Sequence, residues 1–406
     1  MTRSSSLAPA LAILAAMASA IGCRPQPAPV GGRAQPVRTT GGAIAMGNLD
    51  VQIASEERRL SRDPEGAAAH ASLVDLLLTR AQVTAAVDDL DRAAAHAQAA
   101  ATAADGRGLL ARAAVHAALH RFPDALGDLA LAERRGADAL AVRAQRAAVL
   151  QAQGRMGEAL ALRRDAVAAR RGTTALAQLA VTEAALGDAA SAAAHLAEAL
   201  AAYRDTSPLP VAWIDFQRGR MADIAGDVDA AASHYGAALA RLPQYAEAAG
   251  HLAAIEALRG RHERAQALLE PLAAPGRDPQ YAMQLASVLD ARGARSEAAR
   301  MRADALARYD DLLARHPEAY ADHAARYLLG SDPRRALALA QVNLAVRPTW
   351  EAYDLALGAA AAAGAAGPGC RLAADALARP APPARVRLAA ERALEGCRGL
   401  TVADVP

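Results

Sequence analysis

Glycine recurs along this chain at intervals close to the length of one helix hairpin, and no other feature restricts the fold as strongly. Gly154, Gly187, Gly226, Gly260, Gly293, Gly330 and Gly364 are separated by 33, 39, 34, 33, 37 and 34 residues. His120 lies 34 residues before Gly154 and takes the same place one unit earlier. Five residues after most of these positions stands an alanine: Ala125, Ala159, Ala192, Ala231, Ala265 and Ala298. A chain leaving one helix needs a permissive backbone at the turn, which Gly supplies. The returning helix needs a small side chain where it crosses its partner, which Ala supplies. Period and spacing together predict antiparallel helix hairpins, used again and again.

Composition fits thin helical layers. The chain has 406 residues, too many for one ordinary domain of about 100–200. Alanine, the best intrinsic helix former, is abundant, and aromatics make up only 3%. A core built from alanine cannot be filled by bulk, so the helices must approach closely. Runs of β-branched and aromatic residues of the kind strands need are almost absent. The 45 basic residues are all arginine, and they balance 43 acidic ones to a net charge of +2. This arginine usage reads as coding bias rather than a phosphate-binding surface. Near-balance without a basic block argues against nucleic acid as a partner.

The amino terminus reads as an address. Arg3 supplies a positive start, and Leu7 to Ile21 form an apolar run shorter than the ~20 residues a membrane-spanning helix needs. Residues 1–22 are therefore expected to be a signal peptide. The run Ala20-Ile21-Gly22-Cys23 is similar to the lipobox of bacterial lipoproteins, with Ala20 where that family usually has Leu. The resemblance implies a lipidated Cys23. The triplet Ala18-Ser19-Ala20 offers the alternative of ordinary cleavage and a soluble periplasmic protein. Arg24 follows the cysteine where an Asp would signal inner-membrane retention, so the resemblance points to the outer membrane, facing the periplasm. Residues 23–50, rich in Pro, Gly and Ala, read as a flexible tether, 51–398 as the repeat domain and 399–406 as a tail.

A unit of 34 residues with this Gly-to-Ala spacing resembles the tetratricopeptide repeat. The clearest copy runs from Ala212 to Pro243, with Gly219, Gly226, Ala231, Tyr235, Ala238 and Pro243 at the family's positions. The resemblance implies an all-α, right-handed α-solenoid of about eight or nine repeats. Between Glu65 and Ala104 the first hairpin is expected to have a longer turn. Insertions fall at Tyr203–Pro210 and within a helical stretch from Glu297 to about Arg315. Arg385 to Cys397 reads as a C-terminal capping helix, which covers the last apolar face of a solenoid.

In that family the first helix of each pair lines a concave face that binds extended peptides or helices. Carried over residue by residue, the resemblance implies a protein- or peptide-binding groove of Gln178, Trp213, Phe216, Gln217, Arg220, Asp223, His251 and Gln284, with Gln145 and Asp290 at matching places. Aromatic and Arg side chains are common interface anchors. The competing reading for Trp213 and Phe216 is core packing, and Tyr235 is assigned to the core. Cys370 and Cys397 form an even pair, read as a disulfide in an exported protein or else as two separate thiols.

No catalytic constellation stands out: there is no phosphate loop, no Gly-x-Ser-x-Gly elbow and no Cys-x-x-Cys pair. His116 and His120, four residues apart, are the alternative as metal ligands of a periplasmic enzyme or metal-binding protein, but His120 falls in a turn. The expected function is a lipid-anchored cell-envelope scaffold that binds a protein partner. No enzyme activity, cofactor, metal or small-molecule substrate is expected. A structural spacer without a groove partner is a further possibility.

Overall fold

The fold is seen in a computed structural model that describes residues 37–102 and 106–397. The expected signal peptide, Cys23 with its expected lipidation, the first part of the expected tether and the expected tail 399–406 lie outside the described residues. Among the described residues there are twenty α-helices and no named strand. Helix α1 (Gly42–Leu60) precedes nine hairpins. These are α2 (Ala67–Thr84) with α3 (Val87–Ala100), α4 (Arg107–Ala118) with α5 (Phe122–Arg134), and α6 (Ala139–Ala152) with α7 (Met156–Ala169). Then come α8 (Thr173–Ala185) with α9 (Ala189–Ala202), α10 (Leu209–Ile224) with α11 (Val228–Arg241), and α12 (Ala246–Leu258) with α13 (His262–Leu269). The series ends with α14 (Gln280–Ala291) and α15 (Arg295–Arg315), α16 (Pro317–Leu328) and α17 (Pro333–Val346), α18 (Trp350–Ala362) and α19 (Ala366–Ala378), and the cap α20 (Ala384–Glu395). The fold class is an all-α solenoid of helix hairpins.

The turn glycines do what their spacing requires. Gly154, Gly187, Gly226, Gly260, Gly293 and Gly364 all have positive φ, between 62° and 88°. His120 takes the same left-handed conformation at φ 56°, and Ala85 does so at φ 55° in the first hairpin. Gly330 is not among the positive-φ residues. After the turn, Asp188, Asp227 and Asp332 cap α9, α11 and α17 by accepting a backbone N–H three residues on. The crossing alanines Ala125, Ala159, Ala192, Ala231, Ala265 and Ala298 each expose 0% of their surface. A larger side chain at any of them would push the two helices apart.

The chain divides into two compact units. Of the described residues, those from 37 to 118, 123–151 and 155–301 form the first, and 119–122, 152–154 and 302–397 form the second. Within the first unit, segments between 166 and 204 residues apart in sequence meet. The backbone N–H of Thr40 donates to the carbonyl of Thr206 at 2.8 Å, and Arg241 donates to the carbonyl of Val37 at 3.1 Å. Thr206 belongs to the Tyr203–Pro210 insertion, which thus receives the segment leading into α1. A second meeting joins the turn after α2 to the loop before α14. Asp278 N–H donates to Ala85 O and Val87 N–H to Gly276 O, each at 2.9 Å.

Two sequence boundaries change. Helix α1 begins at Gly42, so the last part of the stretch 23–50 expected as tether is helical. Gly42 abuts α11, and a Cβ there would lie 2.4 Å from the carbonyl oxygen of Arg241. This glycine permits close approach, a role that composition alone mistakes for flexibility. In the first hairpin the extra length lies in α2, with 18 residues, while the turn is only Ala85-Ala86. Pro317 opens α16 at its first position as well as closing the preceding helix.

In the second unit, Tyr353, Ala356, Ala360, Leu372, Ala373 and Ala376 form a core completed by Val386 and Ala390 of α20. Cys370 of α19 and Cys397, just past α20, are joined by a disulfide across a sequence separation of 27. His120 is 4% exposed, and its Nδ1 is 2.9 Å from the carbonyl of Glu318 at the start of α16.

Candidate partner-binding site

The hairpins α10/α11 and α12/α13 of the first unit carry most of the residues expected in a groove. Their arrangement starts from one small residue. Gly219 on α10 leaves a notch into which the Tyr235 ring of α11 fits, and a Cβ at Gly219 would stand 2.6 Å from that ring. Tyr235 is fully buried, as its core assignment requires. Around it gather Phe216 (ring centroids 5.7 Å apart) and His251 (5.0 Å), with Tyr245 5.2 Å from Phe216. Gly250 makes the same kind of room on α12, where a Cβ would be 2.8 Å from the Tyr281 ring of α14.

This packing revises the expected groove. Trp213 is 5% exposed and Phe216 1%, so both lie inside the hairpin stack and offer no side chain to a partner. Gln217 and Gln178 are also buried. Gln178 is held by the guanidinium of Arg163, which burial lowers to a pKa of about 10. The physical reason is common to all four. In a core of alanine, the larger side chains on the first helices are drawn inward to fill volume that alanine leaves open.

What remains accessible is narrower. Arg220 and Asp223 on α10 and Gln284 on α14 are partly exposed. The Oε1 of Gln284 lacks a hydrogen-bond partner among the described residues. His251 is nearly enclosed: the Tyr235 hydroxyl oxygen lies 3.3 Å from its Nδ1, and Asp223 stands 3.9 Å away. Burial, reinforced by the charge of Arg220, lowers His251 to a pKa of about 3 and keeps the ring neutral at ordinary pH. It therefore sits as a neutral ring hydrogen-bonded to the Tyr235 hydroxyl, not as a cation facing a partner.

The structure adds two residues that the residue-by-residue resemblance omitted. Ile224 is 77% exposed and Leu258 is 72% exposed, each the last residue of a first helix, 34 positions apart. Ile224 follows Arg220 by four residues, and Leu258 follows His251 by seven, so each shares a helix face with an expected groove residue. Val228, 38% exposed, opens α11 beside them: Arg259 donates to its carbonyl at 3.4 Å. A repeat-by-repeat count of apolar residues at turn-proximal positions would have found the pair.

The alternative pair of histidines does not converge. Nδ1 of His116 pairs with Asp128 at 3.1 Å, whereas Nδ1 of His120 faces the Glu318 carbonyl. Among the described residues no group of three or more His, Cys, Asp and Glu is placed to hold a metal ion, and no helix is long and apolar enough to cross a membrane.

The family model described as "Tetratricopeptide repeat" matches residues 224–288. A comparison with curated proteins finds no match. Among solved structures, the chain is similar to the crystal structure of MamA at 18% identity, covering 41% of this chain and 95% of that one, with a TM-score of 0.33. A tetratricopeptide repeat protein from Parabacteroides merdae is 15% identical over 63% of this chain and 98% of that one, with a TM-score of 0.38. A chain of the APC/C hetero-tetramer Cut9-Hcn1 is 14% identical over 77% of this chain and 54% of that one, with a TM-score of 0.44. The family match begins at Ile224 and runs through α11, α12 and α13 into α14, so it includes both exposed aliphatic residues, and the chain is a protein of helix hairpins whose residues 224–288 are similar to the tetratricopeptide repeat.

Proposed function

We propose that the protein is a scaffold that binds a protein or peptide segment at α10–α14, anchored to the cell envelope through a lipidated Cys23. A repeat scaffold of this kind is suited to protein interaction. The observation that carries the reading is the exposure of Ile224 and Leu258, two large aliphatic side chains 34 positions apart that both fall within the family-matched residues. Branched aliphatics at this exposure gain roughly 1.5–3 kcal/mol each when a partner covers them, before the cost of association. Arg220, Asp223 and Gln284 beside them supply polar contacts of both signs, which select orientation more than affinity. The partner is a segment with apolar anchors, helical or extended. The outer membrane is the expected address, on the strength of Arg24 after the cysteine.

A photo-crosslinking amino acid placed at Asp223 tests the site in cells. One discrete crosslinked protein is expected, and its yield should fall at least tenfold in the Ile224→Asp/Leu258→Asp double variant. A crosslinking pattern unchanged by the double variant, in a protein with an unaltered circular dichroism spectrum, would show that this face takes no partner and favour a spacer. Anchoring is read separately. Incorporation of labelled palmitate should disappear in Cys23→Ser, and its persistence there would remove the lipidation claim.

A further inference from the structure

The second helix of the sixth hairpin is cut short. Helices α7, α9 and α11 each run for 14 residues, whereas α13 has 8. Pro271 is the cause: it has no N–H to continue the ladder, and its ring collides with the carbonyl one turn back. The chain makes a single 3₁₀ turn, Glu270–Leu272, and then leaves the stack for the contact with Ala85 and Val87. The last turns that a full-length α13 would lay over α14 and α15 are therefore missing. A cavity of about 260 Å³ opens in their place, within the first unit.

The floor of this cavity is apolar. Leu285 and Leu289, one turn apart on α14, belong to the core shared by α12, α13, α14 and the start of α15. Met301 of α15 packs against the same core and stays partly exposed. The rim is acidic, because Glu270 and Glu297 line it from the end of α13 and from α15. Among the described residues neither carboxylate is paired with a cation. Glu270 accepts from Gln266 Nε2 at 2.7 Å, and Glu297 has no hydrogen bond or ion pair. The basic side chains nearby are engaged elsewhere or point to solvent: Arg292 donates to Gln266 and Glu263, and Arg295 and Arg300 are exposed.

We propose that this cavity takes the side chain of a lysine presented by a polypeptide partner. An occupant must meet two surfaces at once, with an alkyl stem against the leucines and methionine and a cation against the two carboxylates. Lysine joins both, since its four methylenes end in a compact ammonium whose three N–H donors two carboxylates can share. Arginine is the poorer match, because its planar fork suits one carboxylate edge-on. An apolar side chain of equal length would cover the floor and leave the rim without a counter-charge. The volume lies below the ~300–1,000 Å³ of pockets that enclose whole small ligands, which favours a side chain brought by a polypeptide over a free cofactor. The cavity shares no residue with the face of Ile224 and Leu258, so its test is independent of that docking site.

Methyl NMR of the purified full-length protein, labelled with carbon-13 at the methionine methyls, tests the site. Met301→Leu identifies the resonance that reports on the cavity wall. The probe is a blocked lysine, Nα-acetyl-lysine N-methylamide. A saturable shift of the Met301 resonance is expected at millimolar probe, with Met156 on α7 unmoved. Blocked norleucine, which keeps the stem and lacks the ammonium, should bind about fivefold more weakly or worse. Glu270→Gln/Glu297→Gln should weaken the blocked lysine by about the same factor. The absence of a saturable shift with blocked lysine overturns the proposal. So does equal binding of blocked norleucine, or equal binding of lysine by the double variant, whose fold is checked by unchanged methyl resonances elsewhere. Binding of 1,5-diaminopentane without binding of blocked lysine also overturns it, because the site would then serve a free amine.

Discussion

The hairpins α10–α13 and the terminal assembly α18–α20 solve the same packing problem under different conditions. In the middle, each hairpin has a neighbour on both sides, and the core is assembled by shape. Gly219 admits Tyr235, Tyr235 meets Phe216 and His251, and Ala231 and Ala265 let the helices cross closely. At the end, α20 has a single face to cover and buries only Val386 and Ala390 fully. There the chain adds a covalent tie, Cys370–Cys397. The difference teaches that a stacked hairpin gains stability from its neighbours, and that a cross-link can hold a helix such as α20 that covers one face only.

The comparison breaks most strongly at Tyr235. Tyr235→Ala removes the ring that fills the Gly219 notch, and should cost about 3–5 kcal/mol in denaturant unfolding, close to the values for large aromatic truncations. Its effect should appear as lost amide protection in α10–α13 while α18–α20 are unchanged. A cost below about 1 kcal/mol would mean that the notch collapses and the middle is less shape-dependent than argued.

Opening the disulfide tests the other end. A loop of this length constrains the unfolded chain by about 3.5 kcal/mol on the entropic estimate. Cys370→Ser/Cys397→Ser should raise exchange rates through α20 and leave α10–α13 protected. Equal loss of protection in both regions would show that the end does not fray independently.

Acid should separate the two regions least sharply, though with a clear sign. His251 in the middle has a folded-state pKa lowered to about 3 from 6.5. Above pH 6.5 both folded and unfolded states hold it neutral, so it contributes no pH dependence. As pH falls below that value the unfolded chain binds a proton that the folded chain refuses, and stability falls by up to about 1.4 kcal/mol per unit until about pH 3. Helices α18–α20 contain no histidine. Thermal unfolding followed from pH 7 to 4 should fall less steeply in His251→Gln than in the unaltered chain. Identical slopes would mean that His251 is solvated in the folded state.

Much of the fold could be read along the chain because hairpin stacking is a local code. The turn glycines and crossing alanines lie within five residues of each other, and each acts on the hairpin that contains it. Even His120 was recognisable as a turn residue by its spacing, and it takes positive φ. The boundaries that failed depend on distant partners. Gly42 looked like tether because its reason for being glycine is Arg241, about 200 positions away. The expected groove was less legible. Family register places Trp213, Phe216, Gln217 and Gln178 on first helices, but register does not say how deeply a side chain sinks when its neighbours are alanine.

By itself, then, the sequence determined the repeated unit: where each helix reverses, where each pair crosses, and that the product is an all-α solenoid. Tertiary structure alone decided which side chains are available. It buried the aromatic candidates, left Ile224 and Leu258 in solvent, and gathered Glu270, Glu297 and Met301 around one cavity. The physical reason is range. Backbone conformation at a turn follows from the residue that occupies it, whereas burial and convergence depend on volumes supplied by helices that the linear spacing does not align.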